Sequence, residues 1–194
     1  MNEQTRLSRS PDLMSAHDTA LLVVDVQEKL MPLIPLGQRI VWNIRRLIDG
    51  GKLLGLKVLA SEQYPQGLGP TVPELASRLG KLATKTEFSC AACDELFAQL
   101  DQHSIPKLLI AGIEAHVCVQ QTVLDALAAG YRVYLAVDAV GSRFDVDRET
   151  SLRRMESAGA TLTTTEAALF EWCQTSARPE FKQISSLVRE KAPE

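Results

Sequence analysis

At 194 residues, with 45% hydrophobic and 23% charged side chains and a net charge of −3, the chain suits one globular domain, and it has no basic surplus to serve as a nucleic-acid footprint. No apolar run approaches the roughly 20 residues that a bilayer-spanning helix needs, so no membrane association is expected. The first seventeen residues lack the apolar stretch of a secretory signal; together these features predict a cytoplasmic protein whose four cysteines, Cys90, Cys93, Cys118 and Cys173, stay reduced.

Residues 1–17 are polar and rich in Ser and read as a loose arm, leaving 18–194 as a single domain. Ala20 to Asp25 is a short apolar run closed by a charge, the pattern of a buried parallel strand. Gly37 to Leu54 places apolar residues at 40, 41, 44, 47 and 48, which is helical spacing, and Gly55 ends it. Lys57–Ser61 reads as a second strand, and 62–73, with three prolines and two glycines, as a loop. A weak strand over 81–84, a short helix over 94–100, a strong strand over 107–111 followed by Gly112, and a helix over 117–129 come next. A strand over 132–137, a helix over 147–158, a short strand over 161–163 and a helix over 165–173 complete the alternation. Residues 179–190 carry Phe181, Ile184, Leu187 and Val188, an amphipathic pattern that could pack on its own domain or on a second subunit. Strands alternating with helices in this way predict a three-layer α/β/α domain around a parallel sheet.

In such sheets the ligand site lies beyond the carboxyl ends of the strands. The polar residues expected there are Asp25, Glu62, Lys85, Cys118 and Asp138. Cys118 falls where a helix begins after the fourth strand, and the helix dipole there favours a thiolate; a small buried, inert thiol fits the same position. A nucleophilic thiol needs a proton acceptor. His17 and His103 fall outside the strand ends and His116 is only two residues from Cys118, so a carboxylate is needed and Asp25 is best placed, unless it merely caps the next helix. Lys85 could hold negative charge beside both, or could be a surface lysine. Cys90-Ala-Ala-Cys93 matches a C-x-x-C motif, but no second pair of Cys or His ligands accompanies it for zinc, and a thiol-redox role is a third reading. No phosphate-binding glycine loop, G-x-S-x-G elbow or H-E-x-x-H is present.

Three segments, Leu22-Val-Val-Asp-Val-Gln27, Lys85-Thr-Glu-Phe-Ser89 and Ala111-Gly-Ile-Glu-Ala-His-Val-Cys-Val119, resemble the isochorismatase-like cysteine hydrolases in order and spacing. The branch of isochorismatase domain-containing proteins is the most similar, through Ser142-Arg143 and Phe181-Lys-Gln-Ile184 as well. The resemblance implies a six-stranded parallel sheet of Rossmann-like type, with Asp25 as general base, Cys118 as nucleophile and Lys85 as the group that holds and polarises them. It also implies an oxyanion hole from the backbone N–H groups of Glu114 and Cys118, and a cis peptide at Ile113–Glu114. Nicotinamidases of this superfamily carry metal-binding histidines after the second strand. Here that region reads Glu62-Gln-Tyr-Pro-Gln-Gly67, so neither a metal nor another cofactor is implied. Ala115 stands where a Thr or Ser is usual, removing one hydroxyl. The expected activity is hydrolysis of a small amide-like substrate in a pocket lined by Gln27, Tyr64, Phe88 and His116, by a protein that forms homo-oligomers. The alternative is a catalytically quiet interaction protein that keeps the fold.

Overall fold

The computed structural model describes residues 7–193. Its centre is two strands, β1 (Thr19–Val24) and β4 (Lys107–Ile113), in which every residue is buried. Burial on both faces is what an uninterrupted apolar run requires, and it is met by a parallel sheet covered on each side. β2 (Lys57–Gln63) pairs with β1 on one side and β3 (Ala83–Lys85) continues outward, while β5 (Arg132–Gly141) and β6 (Thr161–Thr163) extend the sheet beyond β4. All pairings are parallel, in the order β3-β2-β1-β4-β5-β6. The expected α/β/α architecture with six parallel strands is therefore observed.

Side chains alternate between the two faces, as the period of a strand demands. Leu21 and Val23 join α1 (Gly37–Leu53), α7 (Thr165–Cys173) and α8 (Phe181–Val188) in one core layer. Ala20, Leu22 and Val24 point into the other, shared with α4 (Asp94–Gln102) and α5 (Gln120–Ala128). The buried stripe of α1 is Ile40, Val41, Ile44, Leu47 and Ile48, and Gly55, in the left-handed region at φ 81°, ends the helix. The tail helix α8 packs on its own domain: Ile184 is fully buried, and Arg46 donates to the Leu187 and Val188 carbonyls.

Several boundaries differ from the expectations. The supposed loop 62–73 begins inside β2 and contains two short helices, α2 (Pro65–Leu68) and α3 (Pro73–Ala76). Gly112 is not a connection but part of β4. A Cβ there would overlap the Val24 carbonyl and its φ is 130°, so only glycine lets β4 run this close to β1. β5 extends to Gly141, and the helix after it, α6, spans Asp145–Ser157. The polar segment before β1 is not loose over its described part. Met14 is fully buried and its N–H donates to Glu171, Tyr134 Oη donates to the Asp12 carbonyl, and Lys107 Nζ donates to the Leu13 carbonyl. The first six residues of that arm lie outside the described residues.

Candidate active site

The strand order reverses between β1 and β4, and in open α/β sheets the crevice at such a reversal is where ligands bind. Asp25 follows β1 directly and Cys118 follows β4, so the two straddle this crevice, and Lys85 reaches in from the end of β3. Asp25 is fully buried with its backbone in the left-handed region at φ 51°. A buried carboxylate needs both oxygens satisfied. Lys85 Nζ donates to Oδ2 at 2.6 Å and Ser61 Oγ donates to Oδ1 at 2.7 Å.

Lys85 is nearly as enclosed, and its three N–H donors have three acceptors: Asp25 Oδ2, Gln63 Oε1 at 3.2 Å and the Phe88 carbonyl at 2.8 Å. Burial alone would drive the ammonium toward neutrality, but the negative charge of Asp25, and of Cys90 and Cys118 when ionised, outweighs it and raises its pKa. Lys85 is therefore a fixed cation whose donors are all engaged.

Cys118 lies in a π-helical turn, Ala115–Val119, rather than at the first turn of an α-helix as expected. The Glu114 carbonyl accepts from the N–H groups of Val117 and Val119, at 3.1 and 3.2 Å, and this wider turn sets the residue between β4 and α5. The Ile113–Glu114 peptide is cis, in agreement with the resemblance. The expected lowering of the Cys118 thiol is not found. Burial pushes it up, the facing Asp25 carboxylate pushes it further, and Lys85 only partly opposes them. Desolvation and a like charge outweigh the helix-terminus effect, so the sulfur rests as a thiol with a carboxylate beside it.

The other expected residues divide. Gln27 is fully buried and does not line a pocket. Its Nε2 donates to the Gln63 and Gly69 carbonyls and its Oε1 accepts from the Gln63 N–H, which staples the loop after β1 to the end of β2. Glu62 accepts from Thr71, and Asp138 accepts from the backbone and side chain of Thr165, so both are structural. Tyr64 and Phe88 are about half exposed, at 52% and 51%, and adjoin Lys85 through their backbones: Tyr64 N–H donates to the Lys85 carbonyl at 2.8 Å, and the Phe88 carbonyl accepts from Lys85 Nζ. His116 is turned toward α6, with Nδ1 3.0 Å from Ser142 Oγ and Nε2 3.8 Å from Asp147. Glu114 accepts from the N–H and Nε of Arg143. Among the described residues no group of three or more His, Cys, Asp or Glu is arranged to hold a metal ion. One groove of about 700 Å³ lies apart from this crevice, between α1 and residues 72–74 and 191–193.

The isochorismatase domain family matches residues 19–167, which span the whole sheet and every residue of this cluster. The chain belongs to this family. As an isochorismatase-domain protein it is 41% identical over 175 residues to isochorismatase domain-containing protein 2 of Macaca fascicularis, a match covering 90% of this chain and 84% of that one. Among solved structures, a MAR1 ribonuclease from Caenorhabditis elegans matches with a TM-score of 0.86 at 39% identity, covering 94% and 95% of the two chains. The YcaC gene product of Escherichia coli, described as an octameric hydrolase of unknown specificity, shares the fold with a TM-score of 0.82 at 22% identity, over 93% and 91%.

Four residues of this isochorismatase-domain site were not expected in it: Ser61, Gln63, Cys90 and Thr122. Cys90 Sγ lies 3.2 Å from Ser61 Oγ, and Thr122 accepts the Cys90 N–H while donating to the Cys118 carbonyl. Only Cys90 had drawn notice, as half of a C-x-x-C motif. Both of those thiols are buried, and burial raises Cys90 and pushes Cys93 up to about 11, which is not the setting of an activated redox pair. Ser61 sits two residues before the end of β2, and period 2 alone would have placed it on the face shared with Leu59.

Proposed function

We propose that this chain is a thiol hydrolase that needs no metal, with Cys118 as nucleophile, Asp25 as general base and Lys85 as the cation that fixes Asp25. The observation that carries it is the buried cluster at the strand reversal: a resting thiol facing a carboxylate whose other contacts are all satisfied. As sulfur attacks a carbonyl carbon, the thiol proton passes to Asp25. The resulting oxyanion is received by the backbone N–H groups of Glu114 and Cys118 in the cis-peptide turn. Collapse expels the amine, which takes the proton from Asp25. Water then gives a proton to Asp25 while its oxygen attacks the thioester, and release of the acid returns that proton to sulfur.

A neutral, amide-like substrate fits this site better than a dianion such as isochorismate. The buried cation is fully engaged, Arg143 is paired with Glu114, and the neighbouring exposed side chains, Tyr64 and Phe88, are aromatic. The Caenorhabditis elegans relative is described as a ribonuclease; a net charge of −3 offers a phosphate backbone little to neutralise. The reading includes self-assembly, supported by the exposed Leu33, Leu36, Phe144 and Val146 in the segments that follow β1 and β5, and multi-angle light scattering tests it. The catalytic part is tested by a screen of small amides, esters and single-stranded RNA with wild type and Cys118→Ala. Cys118-dependent amide or ester hydrolysis supports it; RNA cleavage or no Cys118-dependent turnover overturns it, the latter favouring a quiet interaction protein.

A further inference from the structure

We infer that Ser61 is a positioning residue for Asp25, the central link of a buried hydrogen-bond chain that runs from Cys90 through Ser61 to the carboxylate. The inference rests on the thiol-hydrolase reading and extends it to a residue on a different strand.

The direction of the chain follows from counting protons. A Ser hydroxyl has one to give. Ser61 Oγ lies 2.7 Å from Asp25 Oδ1, an acceptor, so its proton points there. The contact at 3.2 Å between Ser61 Oγ and Cys90 Sγ then requires the thiol to be the donor. Cys90 is suited to that role because it is fully enclosed, and burial together with Asp25 keeps it protonated. Its N–H is held in turn by Thr122, which also bonds the Cys118 carbonyl. The backbone supports the same alignment: Val24 and Ser61 are paired across β1 and β2, and the Asp25 N–H donates to the Ser61 carbonyl at 3.2 Å.

The consequence is rotational. Lys85 alone would leave the carboxylate plane of Asp25 free to swing about its last side-chain bond and away from Cys118. With Ser61 on Oδ1 and Lys85 on Oδ2, one orientation survives. The charged or titratable groups facing Asp25 are Lys85 from β3, Cys90 from the turn Cys90–Ala92 and Cys118 from the π turn.

The test needs no substrate. Iodoacetamide alkylates a thiol by forming a sulfur–carbon bond as iodide leaves, with the thiol proton going to the base. The rate at the Cys118 peptide is followed by mass spectrometry from pH 4 to 9 in wild type, Ser61→Ala, Ser61→Thr and Cys90→Ala. Loss of one hydrogen bond to a charged group predicts that Ser61→Ala reacts about tenfold more slowly near neutrality. Ser61→Thr, which keeps the hydroxyl, restores most of that rate, and Cys90→Ala slows the reaction far less than Ser61→Ala. A Ser61→Ala profile that overlays wild type overturns the inference while leaving Cys118 as nucleophile intact. A wild-type Cys118 no more reactive than Cys93 overturns both. Should Ser61→Ala fail to fold, Ser61→Cys, a weaker donor of similar size, is read on the same rate, and an unchanged rate again refutes the role.

Discussion

Replacing Lys85 by Met is the sharpest perturbation of the Asp25–Lys85 pair, because the two side chains are 0% and 1% exposed and nothing in solvent can take over. Met keeps the length and removes the charge, leaving Asp25 with one oxygen unpaired in the interior. Breaking a buried pair in this way costs about 3–5 kcal/mol, a large share of a typical domain's stability. The pH dependence separates this cause from a mere packing defect. In wild type the Lys85 pKa is raised on folding, so its contribution is fully present below the unfolded value near 10.5 and is lost only as pH climbs through the folded value. Between pH 5 and 8 it is constant. In Lys85→Met the cheapest escape is protonation of Asp25, so folding takes up a proton and the variant loses stability as pH rises. Urea unfolding at pH 5 and pH 8 measures both quantities. The variant should lie closer to wild type at pH 5, and adding Asp25→Asn should recover part of the loss, since a buried pair replaced by two neutral residues is far less costly than a broken one. A loss below about 1 kcal/mol, equal at both pH values and unrelieved by Asp25→Asn, would refute the view that these charges depend on each other.

Asp25→Asn in otherwise intact protein should slow Cys118 alkylation by about a hundredfold at pH 7 with little change in circular dichroism; a rate equal to wild type means that some other group takes the proton. Because the Cys118 thiol is pushed up rather than down, wild-type labelling should show no early plateau from a preformed thiolate, and ultraviolet thiolate absorbance should be absent for Cys118 at pH 7. Gly112→Ala should cost at least about 2 kcal/mol in urea unfolding, since its Cβ would meet the Val24 carbonyl at a positive φ; a variant as stable as wild type would show that β4 can move away from β1. Mild oxidation should leave Cys90 and Cys93 as free thiols, both being buried with raised pKa; a disulfide found by peptide mapping would revive the redox reading.

Much of the fold is legible because it rests on local chemistry. The apolar runs at 20–24 and 108–111 can be nothing but buried, and Gly55, Gly130 and Gly159 mark helix ends wherever they occur, each with positive φ. The strand-end rule puts Asp25, Lys85 and Cys118 on a short set of candidates before any contact is known. The same rule misplaces Glu62 and Asp138, which serve loops and a helix terminus, and the expected pocket misplaces Gln27, whose amide is consumed by three backbone partners. These roles depend on what stands opposite, and a single strand does not carry that information.

The sequence by itself determined the α/β alternation, the family, and the three residues that resemblance aligns, since hydrophobic period, turn residues and motif order are properties of the chain. The tertiary structure decided the state of the site. The pKa direction of Cys118, the full engagement of Lys85 and the Cys90–Ser61–Asp25 chain all depend on burial and on partners 22 to 60 residues apart. A charge or a proton responds to distance and dielectric in space, and those are set only once the strands are side by side.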